Sequence, residues 1–184
     1  LVRELADHPR PADRGLLQLE RGRALARLGK NAEALAALDD AERLLADPGP
    51  QAVALLFQAE LFARAGNPEA SELCRRIMGG PSPYAPLAHL ILGLHELEFR
   101  PEAALATLLV GLGEVRRPRI VDEAGFDIDW FCATLRRAWE AETEVSRLVR
   151  FAALLPELQR LYPANPGYGL DEARRGGRAG RFAT

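Results

Sequence analysis

The chain is poor in the residue types that most often carry chemistry: two cysteines, one methionine, three histidines and a single lysine, Lys30, in 184 residues. Cys74 and Cys132 each lie in an apolar helical pattern without CxxC or metal-ligand spacing, which excludes a disulfide framework and fits a reducing compartment. Buried thiols of this kind behave as small hydrophobes rather than nucleophiles. His89 and His95 are six residues apart and point to different faces of a helix, so with His8 they form no metal set. Serines are equally scarce, and none of Ser71, Ser82 and Ser146 sits in a nucleophile-elbow sequence. The Gly111-x-Gly113 pair follows a helical pattern rather than a strand and fails as a phosphate cradle. The acidic groups Asp39-Asp40 and Glu140, Glu142 and Glu144 read as solvated helix faces. No enzyme activity, cofactor or metal is expected.

Long apolar runs are also missing. The most apolar stretch, Leu87 to Leu97, contains His89, His95 and Glu96 and falls short of the roughly 18 residues a membrane-spanning helix needs. Nothing at the N-terminus resembles a signal peptide, so a cytoplasmic location is expected, although a chain that begins at Leu1 leaves room for a longer natural protein. Charge of one sign is not in excess: 24 basic residues face 26 acidic ones, which gives no field to attract nucleic acid or an anionic membrane. Arginine supplies nearly all the positive charge and Asn, Gln, Met and Cys are depleted, a bacterial usage typical of a GC-rich genome or a thermophile.

What the chain has is alanine and leucine in helical periodicity. With 48 % apolar and 27 % charged residues it has the composition of one ordinary globular domain. Three punctuation marks divide its first two-thirds: Gly29-Lys30-Asn31-Ala32-Glu33-Ala34, Gly66-Asn67-Pro68-Glu69-Ala70 and Phe99-Arg100-Pro101-Glu102-Ala103. Measured on the Glu-Ala pair, they recur after 36 residues (Glu33 to Glu69) and 33 residues (Glu69 to Glu102), a helix-turn-helix period. Gly29 and Gly66 can take the left-handed conformation that ends a helix, Asn31 and Asn67 can cap the next, and Pro68 and Pro101 suit a first helical position. Helices are expected over Leu16 to Leu28, Ala32 to Ala46, Gln51 to Ala65, Glu69 to Met78, Pro86 to Glu98 and Glu102 to Leu112. Pro48-Gly49-Pro50 and the cluster from Gly79 to Pro83 are expected as the loops between pairs.

The spacing of Gly22, Leu25, Gly29, Ala34, Leu38, Ala41 and Pro48 resembles a tetratricopeptide repeat (TPR). Ala59, Phe62, Gly66 and Ala70 continue it in a second pair, with Cys74 and Ile77 departing from the usual bulky and small residues. Gly93, Pro101 and Ala103-Ala104 continue it in a third, where Phe99 replaces the turn glycine. The resemblance implies an all-α fold, a right-handed superhelical stack of antiparallel helix pairs (a TPR-like α-solenoid) over residues 1–113. It also implies a concave groove lined by the first helix of each pair, binding a peptide or partner helix. Carried onto this chain, the groove residues are Leu19, Arg23 and Arg27, then Leu56, Glu60 and Arg64, then His89 and Glu96, with Leu97 beside them. The arginines would present guanidinium forks to carboxylates, the alternative being a solvated face. Leu19 and Arg23 stand where a terminal-carboxylate clamp would begin, so the resemblance does not extend to the chaperone-tail adaptors. A scaffold or adaptor for another protein is the expected function. The alternatives are self-association as a homodimer and a regulatory or sensing domain of a larger protein.

Beyond Gly113 the texture changes. Arg116, Arg117 and Arg119 and the acidic residues that follow read as a loop, and Asp129 is expected to cap one long helix from Trp130 that Pro156 ends or kinks. A short final helix with Leu158, Leu161 and Tyr162 would follow. Residues 114–162 are expected to cap the apolar end of the stack, with Trp130 and Trp139 as packing anchors. Residues 163–184 read as a flexible Arg-Gly tail rather than an RNA-binding segment.

Overall fold

The computed structural model describes residues 10–116 and 119–161, and among these the chain forms nine helices and no strand. They are α1 (Pro11–Arg27), α2 (Asn31–Leu44), α3 (Pro48–Arg64), α4 (Glu69–Gly79), α5 (Ala85–Glu96), α6 (Pro101–Glu114), α7 (Arg119–Ala124), α8 (Ile128–Ala141) and α9 (Val145–Leu161). Each of the first five packs on the next in the chain, α1 also touches α3, and α3 also touches α5. That places α1, α3 and α5 side by side and makes α1/α2, α3/α4 and α5/α6 hairpins. The C-terminal helices return onto this framework, α8 against α5 and α9 against α6. The expected tail, residues 163–184, and Tyr162 lie outside the described residues.

Local chemistry explains the hairpin turns. Gly29 and Gly66 have φ of 73° and 66°, conformations that an L side chain rarely adopts. At each, an amide one residue on reaches back to the helix: Lys30 N donates to Leu25 O and Asn67 N to Phe62 O. Asn67 Oδ1 accepts from Glu69 N and starts α4, whereas Asn31 lies inside α2 and caps nothing through its side chain. The third turn, at Phe99, manages without a positive φ because Arg100 N bonds directly to Glu96 O.

Helix-to-helix approach in the hairpins is set by a repeated fit of small against large. A Cβ on Gly22 would lie 2.7 Å from Leu38 Cγ and 3.3 Å from Ala34 O; one on Gly93 would lie 2.5 Å from Leu108 Cγ and 3.1 Å from Ala104 O. The same three positions in the middle hairpin hold Ala59, Cys74 and Ala70, all fully buried. One methyl more on α3 is matched by a smaller side chain on α4. This fit also sets the register of the third hairpin: Ala70 corresponds to Ala104, so the Glu102-Ala103 pair used to measure the period is one residue out of step.

Several expected boundaries move. Pro48, Gly49 and Pro50 are the first turn of α3 and not a loop, because Asp47 Oδ1 accepts from Gly49 N and the prolines occupy positions whose amides need no partner. The region after Arg116 contains the short helix α7. The expected long helix is two helices: Glu142 Oε1 accepts from both Thr143 N and Glu144 N and starts α9 afresh. Asp127, not Asp129, caps α8, and Pro156 lies inside α9, which runs on through Leu158 to Leu161. Trp139 stacks on Phe151 at 5.8 Å across the α8/α9 turn.

Two apolar clusters form the core. One lies between α1, α2 and α3 around Leu19, Leu38, Phe57 and Leu61; the other runs from α3 to α9 and joins Leu56, Leu87, Leu90 and Ile91 to Phe126, Phe131, Leu135, Phe151, Leu154 and Leu158. Tyr84, at the N-terminus of α5, packs against both. The C-terminal helices therefore share one continuous core with the hairpins.

Candidate functional site

Polar interactions between distant parts of the chain gather where α1 and α3 meet the segment that leads into α8. Glu60 and Arg64 are one turn apart on α3, with the acid N-terminal to the base, the favourable order on a helix. Arg64 Nη2 donates to Glu60 Oε1 at 2.5 Å and to Asp127 Oδ2 at 2.5 Å, and its guanidinium carbon lies 4.6 Å from the centre of the Trp130 ring. Glu60 is only 5 % exposed, and its other oxygen accepts from Asp127 N at 3.5 Å. On α1, Arg23 lies over the Phe57 ring at 5.4 Å, donates to Glu20 Oε1 at 2.8 Å and packs against Gly125.

Arg64, Glu60 and Arg23 thereby meet on one returning segment, residues 125–131, which comprises the turn after α7 and the first turn of α8. Its conformation follows from its sequence. Gly125, with φ of 70°, ends α7 as Phe126 N bonds back to Val121 O. Asp127 then starts α8, its Oδ1 accepting from Trp130 N at 2.9 Å while Oδ2 faces Arg64. Phe126 and Phe131, rings 5.9 Å apart, anchor the segment in the core on either side of that carboxylate. At the positive φ of Gly125 an L side chain is strained, and a Cβ there would also displace the Arg23 guanidinium.

Electrostatics match the geometry. Burial pushes the Glu60 carboxyl above its ordinary range, only partly opposed by Arg64. Burial also acts upward on Asp127, but the Trp130 N–H and the Arg64 guanidinium outweigh it and hold that carboxyl below its ordinary value. Arg64 is raised, because its two carboxylate partners outweigh its own loss of water. The arrangement suits recognition of a carboxylate flanked by aromatics.

Of the residues expected to line a groove, three come together here: Arg23, Glu60 and Arg64, on the chain's own segment. Leu19 and Leu56 do not belong to an open surface, being 4 % and 1 % exposed core residues, since the inner edge of each helix also packs on its neighbour. Arg27 is exposed beyond the cluster. His89 and Glu96 face away from it: His89 lies 3.9 Å from Glu114 on α6, and Glu96 lies 3.8 Å from Arg75 on α4. Leu97, at the end of α5, packs partly buried against the larger core cluster. Phe57, Gly125, Asp127 and Trp130 went unrecognised as site residues from sequence. A signal for two of them was present, because a glycine closely followed by a capping Asp or Asn, here Gly125 and Asp127, is the stop-and-cap chemistry that also marks the turn at Gly66 and Asn67.

Elsewhere, a cleft of about 400 Å³ between α2, α3 and α4 is lined by Asp39, Glu42, Gln58, Phe62, Glu69 and Arg76. Its charges are largely consumed internally, Asp39 by Arg43 and Glu42 by Arg76. Among the described residues no group of His, Cys, Asp and Glu is placed to hold a metal, and no helix is long and apolar enough to cross a membrane. Compared with known families, curated proteins and solved structures, the chain matches none.

Proposed function

We propose that this chain is a non-catalytic protein-interaction module: a TPR-like, right-handed superhelical stack of three helix hairpins, capped by α7 to α9, that binds a peptide or helix of another protein on the α1/α3/α5 face. The observation that carries the reading is the Arg23, Glu60 and Arg64 set. It already holds a segment 60 or more residues distant in sequence through charge-assisted hydrogen bonds and a cation–π contact. Helix-pair stacks offer extended faces of this kind and seldom enclosed pockets. Arg27, exposed one turn beyond Arg23, extends the cationic surface past the part the chain itself covers.

The test is affinity capture with the purified chain against the combined variant Arg23→Glu and Arg27→Glu, with partners identified and their binding remeasured from purified components. A specific partner that loses at least tenfold in affinity for the variant supports the module. Equal binding by both proteins, with the variant shown folded, refutes it.

Self-association is favoured by a different observation. Leu17 on α1 and Leu28 at its C-terminal cap are 66 % and 73 % exposed. If a second copy covers them, light scattering at high micromolar concentration reports a dimer that Leu17→Glu with Leu28→Glu dissolves; a monomer throughout removes this reading.

A further inference from the structure

The docked segment and the surface that holds it have the anatomy of a ligand and its receptor. The receptor side is Arg64, Glu60, Arg23 and Phe57; the ligand side is Phe126-Asp127-Ile128-Asp129-Trp130-Phe131. The two sides differ in how firmly they are held. Phe126 and Phe131 are buried, whereas Asp127 and Arg64 keep 43 % and 33 % of their side-chain surface in contact with solvent. The polar half of the contact thus sits at the rim, where another carboxylate can reach the same guanidinium.

We propose that the face recognises in its partner the chemistry with which it holds its own segment, an aspartate followed three residues later by a large aromatic, and that residues 125–131 act as a built-in competitor for that partner. This rests on the interaction-module reading above and names its ligand class. Charge supports it: the incoming carboxylate replaces Asp127 on Arg64, the incoming ring replaces Trp130 over the guanidinium, and the peptide N–H of the aspartate meets Glu60 as Asp127 N does. A basic or a wholly apolar segment leaves Arg64 without its second carboxylate and is disfavoured.

A tethered segment acts at an effective concentration on the order of a millimolar. A free peptide at about 10 µM therefore competes against a roughly hundredfold excess, and weakening the internal contact must expose the site. The probe is a fluorescent peptide of this chain's residues 125–131, titrated by anisotropy into the full chain and into the Asp127→Asn, Trp130→Leu double variant, which keeps the apolar bulk of the segment. The expected result is at least tenfold tighter binding to the variant, lost when Arg64→Ala is added or when the peptide carries Asn for Asp. A folded double variant that binds the peptide no more tightly than the parent overturns the proposal. If circular dichroism shows the double variant unfolded, Trp130→Leu alone decides in the same way, with a threefold gain as its threshold. A partner captured by the parent chain through Arg23 and Arg27, together with failure of this peptide to bind either variant, overturns this inference and leaves the module reading standing.

Discussion

Gly93→Ala is the sharpest test of how the hairpins pack. The added Cβ would meet Leu108 Cγ at 2.5 Å, Cδ2 at 2.8 Å and the Ala104 carbonyl at 3.1 Å. Carbon atoms at rest sit about 3.5–4.0 Å apart, so α5 and α6 must part by about 1 Å or Leu108 must leave its rotamer. Leu108 is fully buried and has nowhere to swing. Overpacking of this sort costs about 1–3 kcal/mol, and alanine returns about 0.5–1 kcal/mol through its better helix propensity. The expected net loss is about 1–2 kcal/mol, or a fall in Tm of roughly 2–8 °C for a domain of this size. Leu108→Cys alone opens a cavity and costs about 2–3 kcal/mol. Combined, the two substitutions recreate the Ala59 and Cys74 pairing that fills the middle hairpin without a void large enough to expose either residue. The double variant should therefore be more stable than the sum of the single losses by about 1 kcal/mol or more. Urea unfolding followed by circular dichroism measures all four corners of the cycle. Additivity within about 0.5 kcal/mol, or a neutral Gly93→Ala, would refute the small-against-large account.

Arg64→Ala leaves Glu60 buried without its cation and should destabilise the chain by about 2–4 kcal/mol, with a change in Trp130 emission as its ring loses the guanidinium; an effect below about 0.5 kcal/mol in urea unfolding contradicts the ion cluster. The pH dependence of Glu60 has a definite sign. Its folded carboxyl titrates above the ordinary 4.5, so its ionised form weakens the fold, fully so above the folded value and not at all below 4.5. Glu60→Gln should then be less costly, or more favourable, at pH 8 than at pH 4, and a cost that grows with pH reverses the assignment. Asp127 acts in the opposite sense: its lowered carboxyl contributes stability above the ordinary 3.8 that is lost as pH falls through its folded value, so Asp127→Asn should flatten the acid limb of a Trp-fluorescence unfolding curve. Burial pushes the Cys74 thiol up to about 12. A thiol reagent at pH 8 should modify neither Cys74 nor Cys132 in the native protein and both in denaturant, and rapid native labelling of Cys74 would contradict its burial.

Periodicity and turn chemistry are local, and they were legible in the sequence. Six of the described helices lie where apolar spacing and Gly, Asn and Pro punctuation place them, because a stop glycine or a capping side chain acts within one turn of its own position. The Gly22, Ala34 and Leu38 set was legible for the same reason, since it repeats in the other hairpins. Burial along one helix, by contrast, does not reveal which element covers it. Leu19 and Leu56 carry the same stripe spacing as an open groove, yet they are core, because neighbouring first helices pack edge to edge. Glu60 looks like a solvated acid until Asp127, 67 residues on, brings its amide to it. The sequence determines that the chain is a series of helix hairpins with arginines and an acid on the first helices. Only tertiary structure decides that Arg23, Glu60 and Arg64 are already engaged, because the segment they hold lies in the chain's own distant C-terminal third.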